Sequence, residues 1–433
     1  MNKNGSLIAN GFWSLTTQIV RVGSLAAIMI ALSRHFGPQR FGTLAVGLAF
    51  VRIFAVLATF GLDKIVVRHL VDHRERFSAI VRESFRLKLA IAMLSYVAMI
   101  AVILAIGDGD RLLLYIGLFA GAGLFFMPCD VYKYAFQSQN RFGLAFLGRA
   151  VPILVSTVIK GIAIVLNAPL LVFAVLETVE AALIATALAL LYRGTRAAEA
   201  FPESRSPIRW ARLAAEGLPM LLSALAVMIY MRSDVVMLGK MAGYKAAGIY
   251  AAASQISEAC ALVPMAIMPA MFPLLVRWRR NGPIFYSQRY EKLFLVTTLS
   301  GFSISLGLMI TAPFLVPLIF GDAYTSAVGV LRILAFTPIF VFIGIIQSGY
   351  DITEGLTWFA TWRTTAGAVI NIALNFILIP RFGPNGAALA TLISFACSAF
   401  FLNFLQAKTR PVFGLQLRAL LIWPILFRPL RYE

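Results

Sequence analysis

The residues of this chain that could do chemistry are ionisable side chains inside long apolar runs. Arg21, Lys160 and Asp234 each lie within a run long enough to cross a membrane. A charged group in that position costs roughly 2.5 to 3.5 kcal/mol on insertion scales, so such residues are rare and usually face a bundle interior or a wet cavity. We therefore interpret them as parts of a polar pathway through a membrane.

Eight residues on the polar faces of these runs are candidates to line that pathway. In the first run, polar side chains recur at steps of three and four residues, which places them on one helical face. In the fifth run, Arg149 and Lys160 are eleven residues apart, which at about 3.6 residues per turn returns to nearly the same direction. The candidate cavity residues are Ser14, Gln18, Arg21, Arg149, Lys160, Tyr230, Arg232 and Asp234.

Four acidic residues in the same runs are candidates to bind a coupling cation: Asp130, Glu177, Glu180 and Glu258. Glu177 and Glu180 stand at i and i+3 and share a helical face. They can equally form an ordinary paired polar face, and Asp130 can simply be neutralised by Lys133. Lone hydroxyl groups in such helices also serve as hydrogen bonds between helices.

Patterns typical of enzymes and metal sites occur in this sequence only as incomplete matches. Residues 108–110 read Asp-Gly-Asp, but they fall in a tight connection, where Asp and Gly are turn formers. His69 and His73 stand at i and i+4, yet no glutamate completes an H-E-x-x-H motif. The three cysteines lie singly in apolar runs, so neither disulfides nor a zinc site are indicated. No nucleotide-binding P-loop is present, and we predict no catalytic residue, metal or cofactor.

The composition is that of a membrane protein. The 433-residue chain is 60% hydrophobic and only 13% charged, whereas soluble domains carry about 25% charged residues. The net charge of +19 would suit nucleic acid, but most Lys and Arg lie in short connections beside apolar runs, as expected for orientation signals and contact with anionic lipid. We therefore predict membrane lipids, and no nucleic acid, as partners.

Twelve apolar runs are long enough to cross a hydrocarbon core about 30 Å thick, and only as helices would they satisfy their backbone polar groups there. The start of the chain is too polar in its middle for a cleaved signal peptide, so we interpret it as part of the first span. The predicted spans are 7–32, 41–62, 86–106, 112–138, 144–166, 169–192, 213–239, 245–276, 289–320, 326–352, 359–379 and 384–407.

Basic residues alternate between the two sides of these spans. Connections 64–88, 193–212 and 277–292 together hold seventeen Lys or Arg, against six in the opposite set. By the positive-inside bias, the basic connections and both termini are predicted to be cytoplasmic. Residues 64–88 mix basic and apolar side chains, which indicates an amphipathic segment at the membrane surface.

The two halves of the chain resemble each other. At a constant shift of 206 positions, Gly37 maps to Gly243 and Gly42 to Gly248, and self-similarity at a fixed period is the mark of repeats. Because each half has six spans, both copies have the same orientation, and the site is expected at their interface. The predicted domains are an N-terminal lobe (1–192), a cytoplasmic linker (193–212), a C-terminal lobe (213–408) and a short tail, interfacial or a truncated helix (409–433).

Five stretches carry a resemblance to a known family through loose, mostly structural motifs: residues 37–44, 61–62, 234–239, 248–252 and 383–391. They resemble the Wzx-type flippases of polyprenyl-pyrophosphate-linked oligosaccharides, in the multidrug, oligosaccharidyl-lipid and polysaccharide exporter superfamily. The similarity covers nearly the whole chain. It implies an all-α polytopic membrane protein with about twelve transmembrane helices in two parallel six-helix lobes around a central cavity, a MATE-like fold.

The resemblance also implies a function and a location. The implied activity is flipping of lipid-linked repeat units from the cytoplasmic to the outer face of a bacterial inner membrane, by ion-coupled alternating access. The product would serve O-antigen, capsule or exopolysaccharide synthesis. The implied partners are the polyprenyl-pyrophosphate-linked oligosaccharide, a polysaccharide polymerase and a chain-length regulator.

Side-chain chemistry agrees with this implication, and two other functions stay open. Guanidinium groups bind phosphate oxygens bidentately, and the cationic candidates for that role are Arg21, Arg149, Lys160 and Arg232. A cation-coupled multidrug antiporter of the same superfamily would favour acidic cavity residues. A membrane-embedded glycosyltransferase or ligase would need a large outer loop.

Overall fold

The computed structural model describes the backbone of residues 3–196 and 210–421 and most of their side chains. Within these ranges every regular element is a helix. Short 3₁₀ segments lie at Arg74–Arg76, Ala122–Cys129 and Asp322–Tyr324, and a π-helical turn at Cys397–Phe401. The α-helices are α1 Lys3–Thr59, α2 Asp63–Asp72, α3 Phe77–Ile106, α4 Arg111–Gly121, α5 Asp130–Ser138, α6 Phe142–Val165, α7 Leu170–Arg196, α8 Trp210–Met241, α9 Tyr244–Cys260, α10 Leu262–Arg280, α11 Pro283–Phe320, α12 Ala327–Leu334, α13 Thr337–Thr353, α14 Thr357–Ala396, α15 Leu402–Leu405 and α16 Arg410–Leu421.

Ten helical segments of the described chain are long and apolar enough to cross a membrane. Two of them, Thr16–Asp72 and Thr357–Leu405, contain 57 and 49 residues, far more than the roughly 20 that one crossing needs. Each of these two holds two of the predicted spans, so the described segments accommodate all twelve. The prediction of an all-α polytopic membrane protein is confirmed.

Glycines mark the bends inside the two longest helices. Gly37 in α1 has φ 67°, and Gly383 in α14 has φ 54°, a backbone conformation that glycine adopts without a side-chain clash. A proline follows each of them, Pro38 and Pro384. Proline is favoured at the first position of a helix, because its missing N–H would have no intrahelical partner there.

The predicted span 112–138 is interrupted in the structure. It consists of α4, the 3₁₀ segment Ala122–Cys129 and α5. Pro128 lies inside the 3₁₀ segment and cannot donate to the helical hydrogen-bond ladder. Periodicity of apolar residues did not predict this break, because the segment remains apolar throughout.

The chain divides into two compact units, Met1–Arg232 and Ser233–Glu433, with the boundary inside α8.

In the first unit, the apolar face of α2 packs against other helices. Ile65, Val66 and Leu70 are buried in a core that also contains Val131 and Leu213. The apolar face of this segment therefore packs on α3 and α5, where the sequence had indicated a face for lipid.

In the second unit, α16 belongs to the core. Leu415 and Ala419 are buried with Tyr286, Tyr290 and Phe294 of α11. This helix occupies part of the predicted tail 409–433, whose last twelve residues lie outside the described chain. Most of the predicted linker 193–212 also lies outside it.

Candidate functional site

Seven polar residues of the first unit contact one another or act on one another electrostatically, and we call them the basic cluster. They come from five helices that are separate in sequence, α1, α2, α3, α5 and α6. The basic cluster comprises Arg21, Asp63, Lys88, Asp130, Lys133, Tyr134 and Arg149.

Tyr134 lies at the centre of the basic cluster. The ammonium of the fully buried Lys88 donates to the Tyr134 hydroxyl over 3.1 Å, and that hydroxyl donates to Asp63 Oδ1 over 2.6 Å. The ammonium groups of Lys88 and Lys133 lie 4.9 and 4.6 Å from the centre of the Tyr134 ring. Because the face of an aromatic ring attracts cations, Tyr134 holds two positive charges in place.

Arg149 forms the other half of the basic cluster. Its Nη2 lies 3.4 Å from Asp130 Oδ1, and its buried Nε has no hydrogen-bond partner in the described structure. The positive charge of Arg149 acts on that of Arg21, whose Nη2 donates to Gln18 Oε1 over 2.9 Å. The Arg149 side chain is 29% exposed, so an anionic ligand can still approach it.

The basic cluster lies where a membrane-spanning segment is broken. Asp130 is in the first turn of α5, directly after the 3₁₀ segment Ala122–Cys129. Transporters typically build their binding sites at such discontinuous helices, because a broken helix leaves polar backbone groups for a ligand. A 3₁₀ stretch within a helix also often marks a functional hinge.

The charges of the basic cluster do not cancel. With the Tyr134 hydroxyl neutral and the other groups ionised, four cations face two carboxylates, Asp63 and Asp130, so two positive charges remain in excess. Arg21 is exposed, and Lys133 and Arg149 are half-buried. These three side chains can therefore reach a ligand, and guanidinium and ammonium groups are the usual protein ligands of phosphate oxygens.

Lys160 belongs to a different group of charges. Its ammonium donates to Glu177 Oε1 over 2.7 Å and to Glu180 Oε2 over 2.8 Å. The Ser156 hydroxyl donates to the same Glu180 oxygen over 2.8 Å. The structure thus brings three predicted residues together across α6 and α7, but it places Lys160 in an acidic triad, apart from the contacts of Arg149.

A buried carboxylate is the main polar feature of the second unit. Asp234 is 2% exposed and accepts hydrogen bonds from Tyr250 and Thr391, each over 2.5 Å, and from Asn375. Asn375 also donates to Asn371 Oδ1 over 3.2 Å. We call these five residues the Asp234 network. All its donors are neutral, and within the described chain no basic side chain forms an ion pair with Asp234.

The structure places the remaining predicted residues as follows. Tyr230 is buried and Arg232 half-buried in α8. Glu258 is half-buried in α9 and acts electrostatically on Tyr250, two helical turns earlier. The side chain of Ser14 lies outside the described residues.

Sequence reasoning missed residues in both networks. Lys88 and Asp63 lie at the two ends of a basic connection, and charged residues in such a position are usually orientation signals or surface charges. Asn371 and Asn375 also went unnoticed, although two amides at i and i+4 in an apolar helix share a face and could have been found by their spacing.

Comparisons with known proteins give consistent matches. The sequence profile of the family described as "Polysaccharide biosynthesis protein" matches residues 7–278. A "Probable low-salt glycan biosynthesis flippase" of Haloferax volcanii is 26% identical over 178 residues. That alignment covers 40% of this chain and 37% of the length of the curated relative.

Solved structures match over nearly the whole chain. A multidrug resistance MATE family transporter of the MOP superfamily, in an inward-facing conformation, has a TM-score of 0.76 at 16% identity, covering 92% of this chain and 95% of its own. The lipid II flippase MurJ has a TM-score of 0.66 at 14% identity, covering 97% and 92%. At these identities the likeness shows the fold alone, which is the predicted MATE-like fold.

Proposed function

The chain belongs to the polysaccharide biosynthesis protein family, and we propose on this premise that it flips polyprenyl-pyrophosphate-linked oligosaccharides across a membrane. The movement runs from the cytoplasmic to the outer face of a bacterial inner membrane, and the product serves O-antigen, capsule or exopolysaccharide synthesis. The flippase name of the Haloferax relative supports a glycolipid cargo.

The observation that carries this proposal is the excess positive charge of the basic cluster within membrane-spanning helices. A pyrophosphate diester is a dianion, and its transfer through hydrocarbon without counter-charges is prohibitive. Arg21 is exposed, and Lys133 and Arg149 are half-buried, so a ligand can approach these three side chains. We assign the pyrophosphate to these side chains and the sugar hydroxyls to neutral groups such as Gln18 and Tyr230, while the polyprenyl chain stays in lipid.

We place cation coupling at the Asp234 network. Three of the four acidic candidates form ion pairs with basic side chains, since Asp130 pairs with Arg149, and Glu177 and Glu180 both pair with Lys160. The fourth, Glu258, is half-buried and acts electrostatically on Tyr250 of the Asp234 network. Asp234 has only neutral donors, so a proton or a small inorganic cation is the charge that would neutralise it. Loading and release of that cation would then bias the alternating access of the transporter.

The orientation follows from the basic connections, which we place in the cytoplasm together with both termini. The lipid-linked repeat unit is then bound from the side on which nucleotide sugars are used. It is delivered to the outer face, where a polysaccharide polymerase and a chain-length regulator would receive it.

Flipping of a fluorescent undecaprenyl-pyrophosphate-linked oligosaccharide in reconstituted vesicles tests the proposal. We expect the wild-type protein to move the probe, and Arg149→Gln to slow it about tenfold or more, because the variant loses a charge-assisted contact with the diphosphate. Arg111→Gln, at an exposed position at the start of α4 and outside the basic cluster, is the matched control and should retain the wild-type rate.

Other outcomes of the same assay would point to the alternative functions. An inert wild-type protein that instead expels cationic dyes along a proton or sodium gradient would be a multidrug antiporter. Covalent transfer of the labelled glycan to an acceptor would indicate a transferase or ligase.

A further inference from the structure

We infer that Lys88 is a positioning residue of the basic cluster: through Tyr134 it holds the Asp63 carboxylate in place and thereby keeps Lys133 available to an anionic ligand. This inference rests on the proposed function and deepens it, because it concerns how the same site keeps its positive charge.

Lys88 cannot itself be a ligand for the substrate. Its side chain is fully buried in α3, and a buried ammonium is stable only when it is paired or hydrogen-bonded. Its hydrogen-bonded partner is the hydroxyl of Tyr134, which is 1% exposed. Any effect of Lys88 on an incoming anion must therefore pass through Tyr134 or through space.

The direction of the hydrogen bonds gives Lys88 its role. An ammonium can only donate, whereas a tyrosine hydroxyl can both donate and accept. Because Lys88 donates to the Tyr134 oxygen, the hydroxyl hydrogen is left to point at Asp63, with an oxygen–oxygen distance of 2.6 Å. Lys88 thus orients Tyr134 as a donor toward the carboxylate.

Asp63 matters because it competes with the ligand. Its negative charge acts on Lys133, as does that of Asp130. A carboxylate released from Tyr134 would be drawn to the Lys133 ammonium and would neutralise it. Engagement of Asp63 by Tyr134 therefore leaves Lys133, which lies over the same ring, to contact a phosphate.

The test measures binding of undecaprenyl pyrophosphate to the full chain in lipid nanodiscs. Lys88→Met, which keeps an unbranched side chain of similar length and removes its charge, should weaken binding about tenfold. Adding Asp63→Asn to Lys88→Met should restore affinity to within about twofold of wild type, because Lys133 then has no competing carboxylate at that position. A purely structural defect from Lys88→Met would not be repaired by Asp63→Asn.

A charge-matched control separates positioning from net charge. Asp72→Asn removes one negative charge from the same helix, α2, at an exposed position, and should not restore binding to Lys88→Met. Tyr134→Phe provides a second route if Lys88→Met does not fold, since it removes only the hydroxyl that holds Asp63. It should weaken binding, and Asp63→Asn should again restore it.

The inference is overturned if Lys88→Met and Tyr134→Phe bind like wild type, if Asp63→Asn fails to restore them, or if Asp72→Asn restores them equally. A wild-type protein that does not bind undecaprenyl pyrophosphate would count instead against the proposed function, so the two failures are distinguishable.

Discussion

At the scale of single residues, three groups of charges among the predicted site residues are satisfied in different ways. Asp130 and Arg149 form an ion pair within a cluster of net positive charge. Lys160 is shared between two glutamates. Asp234 is held by neutral hydroxyl and amide donors, which is why we propose it as the site of an exchangeable cation.

Replacing Asp234 tests this distinction. In Asp234→Asn the carboxylate is lost but the side chain keeps its size, so flipping of the fluorescent lipid should continue without its dependence on an imposed proton or sodium gradient. Stimulation of flipping by each gradient in vesicles is the measurement, with Asp322→Asn, at a connection between spans, as the control. An Asp234→Asn protein that responds to the gradient like wild type would contradict the assignment.

The types of the site residues were predictable from the sequence, whereas their partners were not. Arg21, Arg149 and Asp130 stood out because ionisable groups are rare in apolar runs. Which of them meet depends on packing between helices far apart in the chain, and one helix's periodicity carries no information about that. For the same reason the sequence placed Lys160 on the same helical face as Arg149 but did not show that Lys160 pairs with Glu177 and Glu180 of the next helix.

At the scale of elements, glycines determine where the long helices bend. Gly37 has φ 67° and ψ 174°, and Gly243, its counterpart at the shift of 206, has φ 86° and ψ 164°. Two positions related by the proposed repeat therefore share an unusual backbone conformation, which supports duplication. The sequence predicted the spans well, because apolar length is read directly. It did not predict the 3₁₀ segment Ala122–Cys129, because the helix is interrupted there without any change in the apolar character of the sequence.

Close packing at the bend of α14 gives a prediction for stability. A Cβ atom added at Gly386 would lie 2.2 Å from the Leu378 carbonyl oxygen, so Gly386→Ala must displace backbone and should cost about 1 to 3 kcal/mol. Gly307→Ala in α11, where a Cβ would meet nothing within 4 Å, is the matched control and should leave stability unchanged or slightly raised. Thermal unfolding in detergent measures both, and equal unfolding temperatures for the two variants would contradict the predicted clash.

At the scale of the whole molecule, helix content and the number of spans followed from composition and the length of the apolar runs, whereas the MATE-like fold was implied by the family resemblance. These properties are sums over many residues, so errors at single positions average out. The division into lobes at 192 and 213 is a proposal from the sequence, whereas the compact units meet at Arg232 and Ser233, within α8.

Orientation in the membrane is tested by labelling single cysteines in intact cells. Arg381→Cys, in a connection we place outside, should react with a membrane-impermeant maleimide. Asn281→Cys, in the basic connection 277–292, should react only after permeabilisation. Both positions are exposed, so unequal access reflects sidedness, and the reverse pattern would invert the assigned topology.

The basic cluster is made of residues before Arg232, and the Asp234 network of residues after it. Each draws its hydrogen-bond partners from its own stretch of chain. In the function we propose, substitutions in the first stretch would change the preference for a headgroup and leave cation coupling in the second stretch unchanged. Cargo specificity and coupling could then change independently of each other in sequence.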